Sequence, residues 1–212
     1  MNSAKRAELF ARLAAADPEP ATELSYATPY QLLVAVILSA QATDKGVNRA
    51  TGPLFKAAPT PEAMVALGEE KLAAHIQSIG LYRTKARNVM GMTRLLLERH
   101  GGEVPGERTA LETLPGVGRK TANIILNVVF GEPTIAVDTH IFRLANRTGL
   151  APGKNVEAVE AKLLKVVPDQ FRRHAHHWLI LHGRHVCKAR KPQCWRCLIA
   201  DLCDCKDKTP PP

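Results

Sequence analysis

The chain has 212 residues, 45% of them hydrophobic, 23% charged and 5% aromatic. That length suits one sizeable domain or two small ones, and the composition excludes collagen-like, mucin-like and wholly disordered chains. With 29 Lys and Arg against 20 Asp and Glu, the formal net charge is +9, so a polyanion is the first partner to test. Charge alone does not decide the matter, because many basic proteins bind nothing acidic.

The first sixteen residues form a charged amphipathic pattern without an apolar signal-peptide core, so a cytoplasmic protein with no signal peptide is expected. Thr28-Pro29-Tyr30-Gln31 then places a cap, a proline at the first helical position and a glutamine at the capping-box position. The uncharged run between Glu23 and Asp44 is interrupted by Ser25, Thr28, Pro29, Gln31, Ser39 and Gln41. Only Leu32 to Leu38 is continuously apolar, which predicts a buried core helix and no membrane span. Thr60-Pro61 repeats the start signal. Thr84 is expected to cap a helix from Lys85 to His100, which Gly101-Gly102 would stop. Thr109 opens a short helix that Pro115 breaks, and Arg119 to Phe130 forms an apolar one ending at Gly131. Asp138 opens another, Asn155 begins one ending at Pro168, and Asp169 begins a last long helix toward His185. No strand alternation is found, so the chain is all-α.

Chemistry concentrates in three places. The run Leu114-Pro115-Gly116-Val117-Gly118-Arg119-Lys120 sets two glycines between helices, just ahead of a helix N-terminus. Glycine lets a backbone approach a ligand, and the unpaired N–H groups of a first helical turn suit an anion such as a DNA phosphate. Eighteen residues beyond Lys120, Asp138 is a natural N-cap whose carboxylate is thereby fixed in place. All five cysteines fall between Cys187 and Cys205, a placement that reads as a metal site rather than a disulfide framework. Cys187, Cys194, Cys197 and Cys203 are separated by six, two and five residues. Four thiolates suit zinc or iron–sulfur, and zinc ribbons usually pair two C-x-x-C knuckles where this chain has one. Cys205 is left as a spare surface thiol. Between Phe171 and Ala200 there is no acidic residue and there are seven basic ones, among them Lys188, Arg190 and Lys191. These three lie in the loop that Cys187 and Cys194 close, presented to a row of phosphates. His174, His176, His177, His182 and His185 crowd the same region, and a packed or solvated helix explains them better than a second metal site.

The hairpin, the run Ile135-Ala136-Val137-Asp138-Thr139-His140 and the C-x6-C-x2-C-x5-C pattern resemble those of the endonuclease III family of DNA base-excision glycosylases. The resemblance extends from about Ala4 to Cys203. It implies two helical domains: a six-helix domain with a helix-hairpin-helix over residues 22–132, and an iron–sulfur domain from 1–21 and 133–212, with a DNA-binding cleft between them. The four cysteines would hold a 4Fe–4S cluster. Lys120 would be the nucleophile, since bifunctional members carry lysine there and adenine-removing relatives carry serine. Asp138 matches an aspartate required for base excision. Gln41 and Leu81 match residues inserted into the gap left by an extruded base, and Gly116, Val117 and Gly118 match the phosphate-binding hairpin. The implied activity is a monomeric DNA glycosylase and abasic-site lyase acting on duplex DNA, with oxidised pyrimidines as leading substrates. Two alternatives stay open: a mismatch-specific glycosylase of the same fold, and a non-catalytic helix-hairpin-helix protein with a structural metal.

Overall fold

Threonine caps and prolines at first helical positions start several elements of this chain, and glycines with positive φ end them. A computed structural model, describing residues 1–212, contains eleven α-helices and two short 3-10 turns. The helices are α1 (Ser3–Ala16), α2 (Pro29–Leu38), α3 (Asp44–Ala57), α4 (Pro61–Leu67), α5 (Glu69–His75), α6 (Tyr82–His100), α7 (Arg108–Glu112), α8 (Arg119–Phe130), α9 (Thr139–Thr148), α10 (Val156–Val166) and α11 (Arg172–His185). The chain divides into two compact units. One is Glu23–Phe130; the other joins Met1–Thr22 to Gly131–Pro212. No helix is long and apolar enough to cross a membrane.

In the unit Glu23–Phe130, α2 is the central helix, buried on every side from Tyr30 to Leu38. Helices α3, α6 and α8 pack around it. Thr28 Oγ1 accepts from the Gln31 N–H at 3.2 Å, as the start signal predicts. The Gln31 side chain reaches one residue further back than a capping box requires and accepts from the Ala27 N–H at 2.9 Å. Helix α6 starts at Tyr82, ahead of the expected Thr84 cap, because Leu81 at its N-cap adopts a left-handed conformation with φ 59°. Thr84 already lies within the first turn. Helices α3 and α5 have no counterpart in the sequence-based reading: Gly46, Gly52 and Pro53 mask the first, and the second is two turns long behind Gly68.

In the other unit α11 is the buried centre, with α1 and α9 against it. Phe10, Phe171 and Trp178 stack with ring centroids 6.0 to 6.5 Å apart, and Trp178 Nε1 donates to the Asp17 carbonyl at 2.7 Å. The expected long helix from Asp169 is instead a 3-10 turn, Asp169–Phe171, followed by α11 from Arg172. His176, His177 and His182 are buried within this core rather than gathered around a second metal. Burial, reinforced by the charge of His174, pushes His177 down to about 4, while Asp17 opposes the shift more weakly.

A histidine held neutral in the fold but free to protonate when unfolded stabilises the protein above its unfolded value, near 6.5. That stability is lost as pH falls from there toward 4. We expect the melting temperature to drop between pH 7 and pH 5, with His177 responsible for about 2–3 kcal/mol by pH 4. The His177→Leu variant should flatten that slope in thermal melts; an unchanged slope places the titration elsewhere.

Candidate active site and iron–sulfur pocket

The hairpin between α7 and α8 is built from short-range bonds. Leu114 N–H donates to the Leu111 carbonyl at 3.1 Å, and Val117 N–H to the Leu114 carbonyl at 3.0 Å. Gly116 has φ +79°, and a Cβ there would meet Asn88 Cβ at 3.0 Å and Ile37 Cγ2 at 3.2 Å. Both sterics and backbone therefore require glycine. At Gly118 a Cβ would meet nothing within 4 Å, so this side of the turn is open. The Val117 side chain is buried and its N–H is spent inside the turn. Of the three hairpin residues, Val117 thus supplies shape, and Gly118 leaves one side of the turn open. Lys120, second in α8, is exposed.

Asp138 is the N-cap of α9. Its Oδ1 accepts from the His140 N–H at 2.8 Å and the Ile141 N–H at 2.9 Å, so the cap does not use Oδ2. Helix α9 lies close against α11 because Gly183 has no side chain: a Cβ there would sit 3.0 Å from the His140 carbonyl oxygen. Two arginines on the same helix hold the cluster loop. Arg143 donates to the carbonyls of Gly183 at 2.7 Å and Cys187 at 3.1 Å. Arg147 donates to the Lys188 carbonyl at 2.8 Å, the Ala189 carbonyl at 3.4 Å and Cys187 Sγ at 3.5 Å. Neither arginine is singled out by the sequence, because the carbonyls they meet lie some forty residues away. Lys188, Arg190 and Lys191 are exposed on the loop thus held.

Cys187, Cys194, Cys197 and Cys203 line one pocket, together with Arg147, His182 and Ile199. No three donors converge closely enough to hold a single ion. Four thiols lining one pocket suit an iron–sulfur cluster or zinc. His182 Nε2 stands 3.3 Å from Cys197 Sγ, and the Cys205 N–H donates to Cys203 Sγ at 3.4 Å. Burial pushes the Cys197 thiol up to about 11, so ligation there must displace a proton that is otherwise firmly held. Cys205, expected at the surface, is half-buried and lines the same pocket.

Only three residues other than glycine have positive φ: Gln41 at 54°, Leu81 at 59° and Lys191 at 49°. Leu81 is also 62% exposed, the most exposed of the large apolar side chains.

Residues 34–169 match the HhH-GPD superfamily of base excision DNA repair proteins, and residues 187–203 match the iron–sulfur binding domain of endonuclease III. A helix-hairpin-helix base excision repair protein is therefore the class that this fold and these motifs define. Endonuclease III of Escherichia coli K12 is 61% identical over 208 residues, covering 98% of this chain and 99% of that protein. A solved structure of a trapped endonuclease III–DNA covalent intermediate superposes with a TM-score of 0.89 at 42% identity over 96% of both chains. A thermostable thymine-DNA glycosylase gives 0.83 at 25% identity, over 95% of this chain and 96% of its own. The chain belongs to the endonuclease III family, and it is a base excision DNA glycosylase and abasic-site lyase with a 4Fe–4S cluster.

The two hairpin glycines should separate on substitution. Gly116→Ala forces a Cβ against Asn88 at positive φ and should destabilise the fold by about 1–3 kcal/mol. Gly118→Ala should change stability by only about 0.5 kcal/mol, the range usual for open positions, yet weaken DNA binding by crowding the phosphate. Thermal melts and fluorescence anisotropy on one duplex measure both; equal affinity for Gly118→Ala and wild type removes the phosphate from this turn.

Proposed function

We propose that Lys120 is the nucleophile of base removal and strand cleavage, that Asp138 assists at the same sugar carbon, and that the leading substrates are oxidised pyrimidines in duplex DNA. The observation that carries this reading is the place of Lys120: an amine in the first turn of α8, directly behind a glycine turn open on one side. A hairpin holding a phosphate there would set a neighbouring sugar within reach of that amine. The neutral amine attacks C1′ and expels the base; opening of the C1′–O4′ bond, with a proton passing from nitrogen to the ring oxygen, gives the Schiff base between Nζ and C1′, and loss of the acidified C2′ proton then expels the 3′ phosphate by β-elimination. Since Lys120 is exposed in the free protein, exclusion of water around its amine falls to the bound duplex.

Asp138 brings a carboxylate whose position is set by its own helix, suited to stabilising positive charge at C1′ or taking up a proton. Gln41 and Leu81 act as wedges in the emptied base stack: each sits at a tip with a backbone conformation that ordinary side chains avoid, a kind of strain that gathers at functional sites. Gly116, Val117 and Gly118 form the phosphate cradle, and Lys188, Arg190 and Lys191 extend the cationic track. The four cysteines hold the cluster, which when bound ties both ends of that basic loop together. The enzyme works as a monomer in the cytoplasm, and four cysteines given to a cluster rather than to disulfides suit a reducing compartment.

Borohydride added during reaction with a duplex carrying an oxidised pyrimidine should trap a covalent adduct that Lys120→Ala abolishes. Trapping that survives the substitution removes Lys120 from this role. Activity confined to a T·G mismatch in the same assay would favour the mismatch reading that the thymine-DNA glycosylase likeness keeps open. Asp138→Asn retains a capping side chain, so stability should stay within about 0.5 kcal/mol. Base release should nevertheless fall by about 100-fold, in the range of general acid–base contributions, with DNA affinity kept. An unchanged rate reduces Asp138 to a cap.

A further inference from the structure

The pocket holds five thiols, and the cluster needs four. Cys205 lines the same cavity as the four ligands. Its backbone lies against the corner ligand, for its N–H donates to Cys203 Sγ at 3.4 Å. The residue between them is held twice: Asp204 N–H donates to the Thr148 carbonyl at 3.1 Å, and its carboxylate pairs with the N-terminal ammonium at 2.9 Å. Cys203 and Cys205 therefore flank a tethered residue, and both line the cavity that the four ligands share. Cys205 Sγ itself makes only a weak bond, to the Asp207 carbonyl at 3.8 Å. The match to the iron–sulfur domain ends at Cys203 and leaves Cys205 outside it.

We infer that Cys205 is a reserve ligand, able to take the iron of Cys203 when that sulfur is lost or displaced. The inference rests on the 4Fe–4S reading. In the exchange the Cys205 thiol gives its proton to solvent and its sulfur bonds iron. A displaced Cys203 thiolate takes up a proton in turn, and iron and sulfide keep their oxidation states. Thiolate exchange at one corner thus needs no oxidant or reductant. It would spare the cluster when Cys203 is oxidised or alkylated.

The test is iron per chain and visible charge-transfer absorbance in wild type, Cys194→Ala, Cys203→Ala and Cys203→Ala/Cys205→Ala, each purified without oxygen. Wild type without iron would sink the cluster reading itself, a different failure. With iron in wild type, Cys203→Ala should keep at least about half of it, whereas Cys194→Ala and the double variant should lose nearly all. A Cys203→Ala protein as empty as Cys194→Ala overturns the inference, and so does a double variant that keeps its iron. Should Cys203→Ala fail to fold, release of iron to a chelator decides between wild type and Cys205→Ala, which retains the backbone donor to Cys203. Release several-fold faster from Cys205→Ala supports the reserve role; equal rates overturn it.

Discussion

Four backbone carbonyls at the end of α11 and the start of the cysteine loop, those of Gly183, Cys187, Lys188 and Ala189, find their donors on two side chains of one helix. Arg143 bridges the carbonyls of Gly183 and Cys187 and Arg147 those of Lys188 and Ala189, a task that suits the planar guanidinium fork and that a lysine ammonium performs poorly. The two part-buried bonds from Arg143 carry most of the energy, since those from Arg147 are exposed to solvent. The same helix begins at Asp138 and packs close to α11 through Gly183. One element therefore sets the capped carboxylate, the entry of the basic loop and a donor to a cluster sulfur. A displacement of α9 would disturb all three together.

Much of this was readable from sequence where the signal is local. Thr28-Pro29, Thr60-Pro61, Asp138 and Asn155 start helices as their chemistry demands, because a cap is decided by a side chain and N–H groups two or three residues away. The cysteine spacing pointed to a metal site and left zinc or iron–sulfur open; the resemblance to the endonuclease III family supplied the 4Fe–4S cluster. Reading failed where a distant partner decides. Leu81 starts α6 without a capping side chain, and the helix begins ahead of Thr84. Helix α3 keeps Gly46, Gly52 and Pro53 because Val47, Ala50, Thr51 and Leu54 are buried on one face, so tertiary packing outweighs poor propensity. The carbonyls that Arg143 and Arg147 satisfy lie some forty residues away in sequence, beyond any local pattern.

Glycine and its absence mark the chemistry in opposite ways. Gly116 relieves what would be a collision, and it has no functional atom of its own beyond its backbone. Gln41, Leu81 and Lys191 occupy the same left-handed region while carrying side chains, at roughly 1–2 kcal/mol each relative to a relaxed backbone. Glycine at any of the three would remove that strain. Leu81 makes the case most clearly, since an exposed leucine in strained backbone gains nothing from the protein's own core.

The two groups proposed for catalysis are prepared in contrary fashion, and the contrast follows from their tasks. Asp138 is held by two bonds to Oδ1 before any DNA arrives, so little further side-chain freedom is lost when a sugar meets Oδ2. Lys120 stands exposed on a long flexible stem. A covalently attached nucleophile must follow its carbon as the base departs, the ring opens and the 3′ strand leaves. A rigid amine would fit one of those geometries and oppose the others. Charge stabilisation rewards a fixed donor or acceptor, whereas a multistep covalent intermediate favours a tether with play in it.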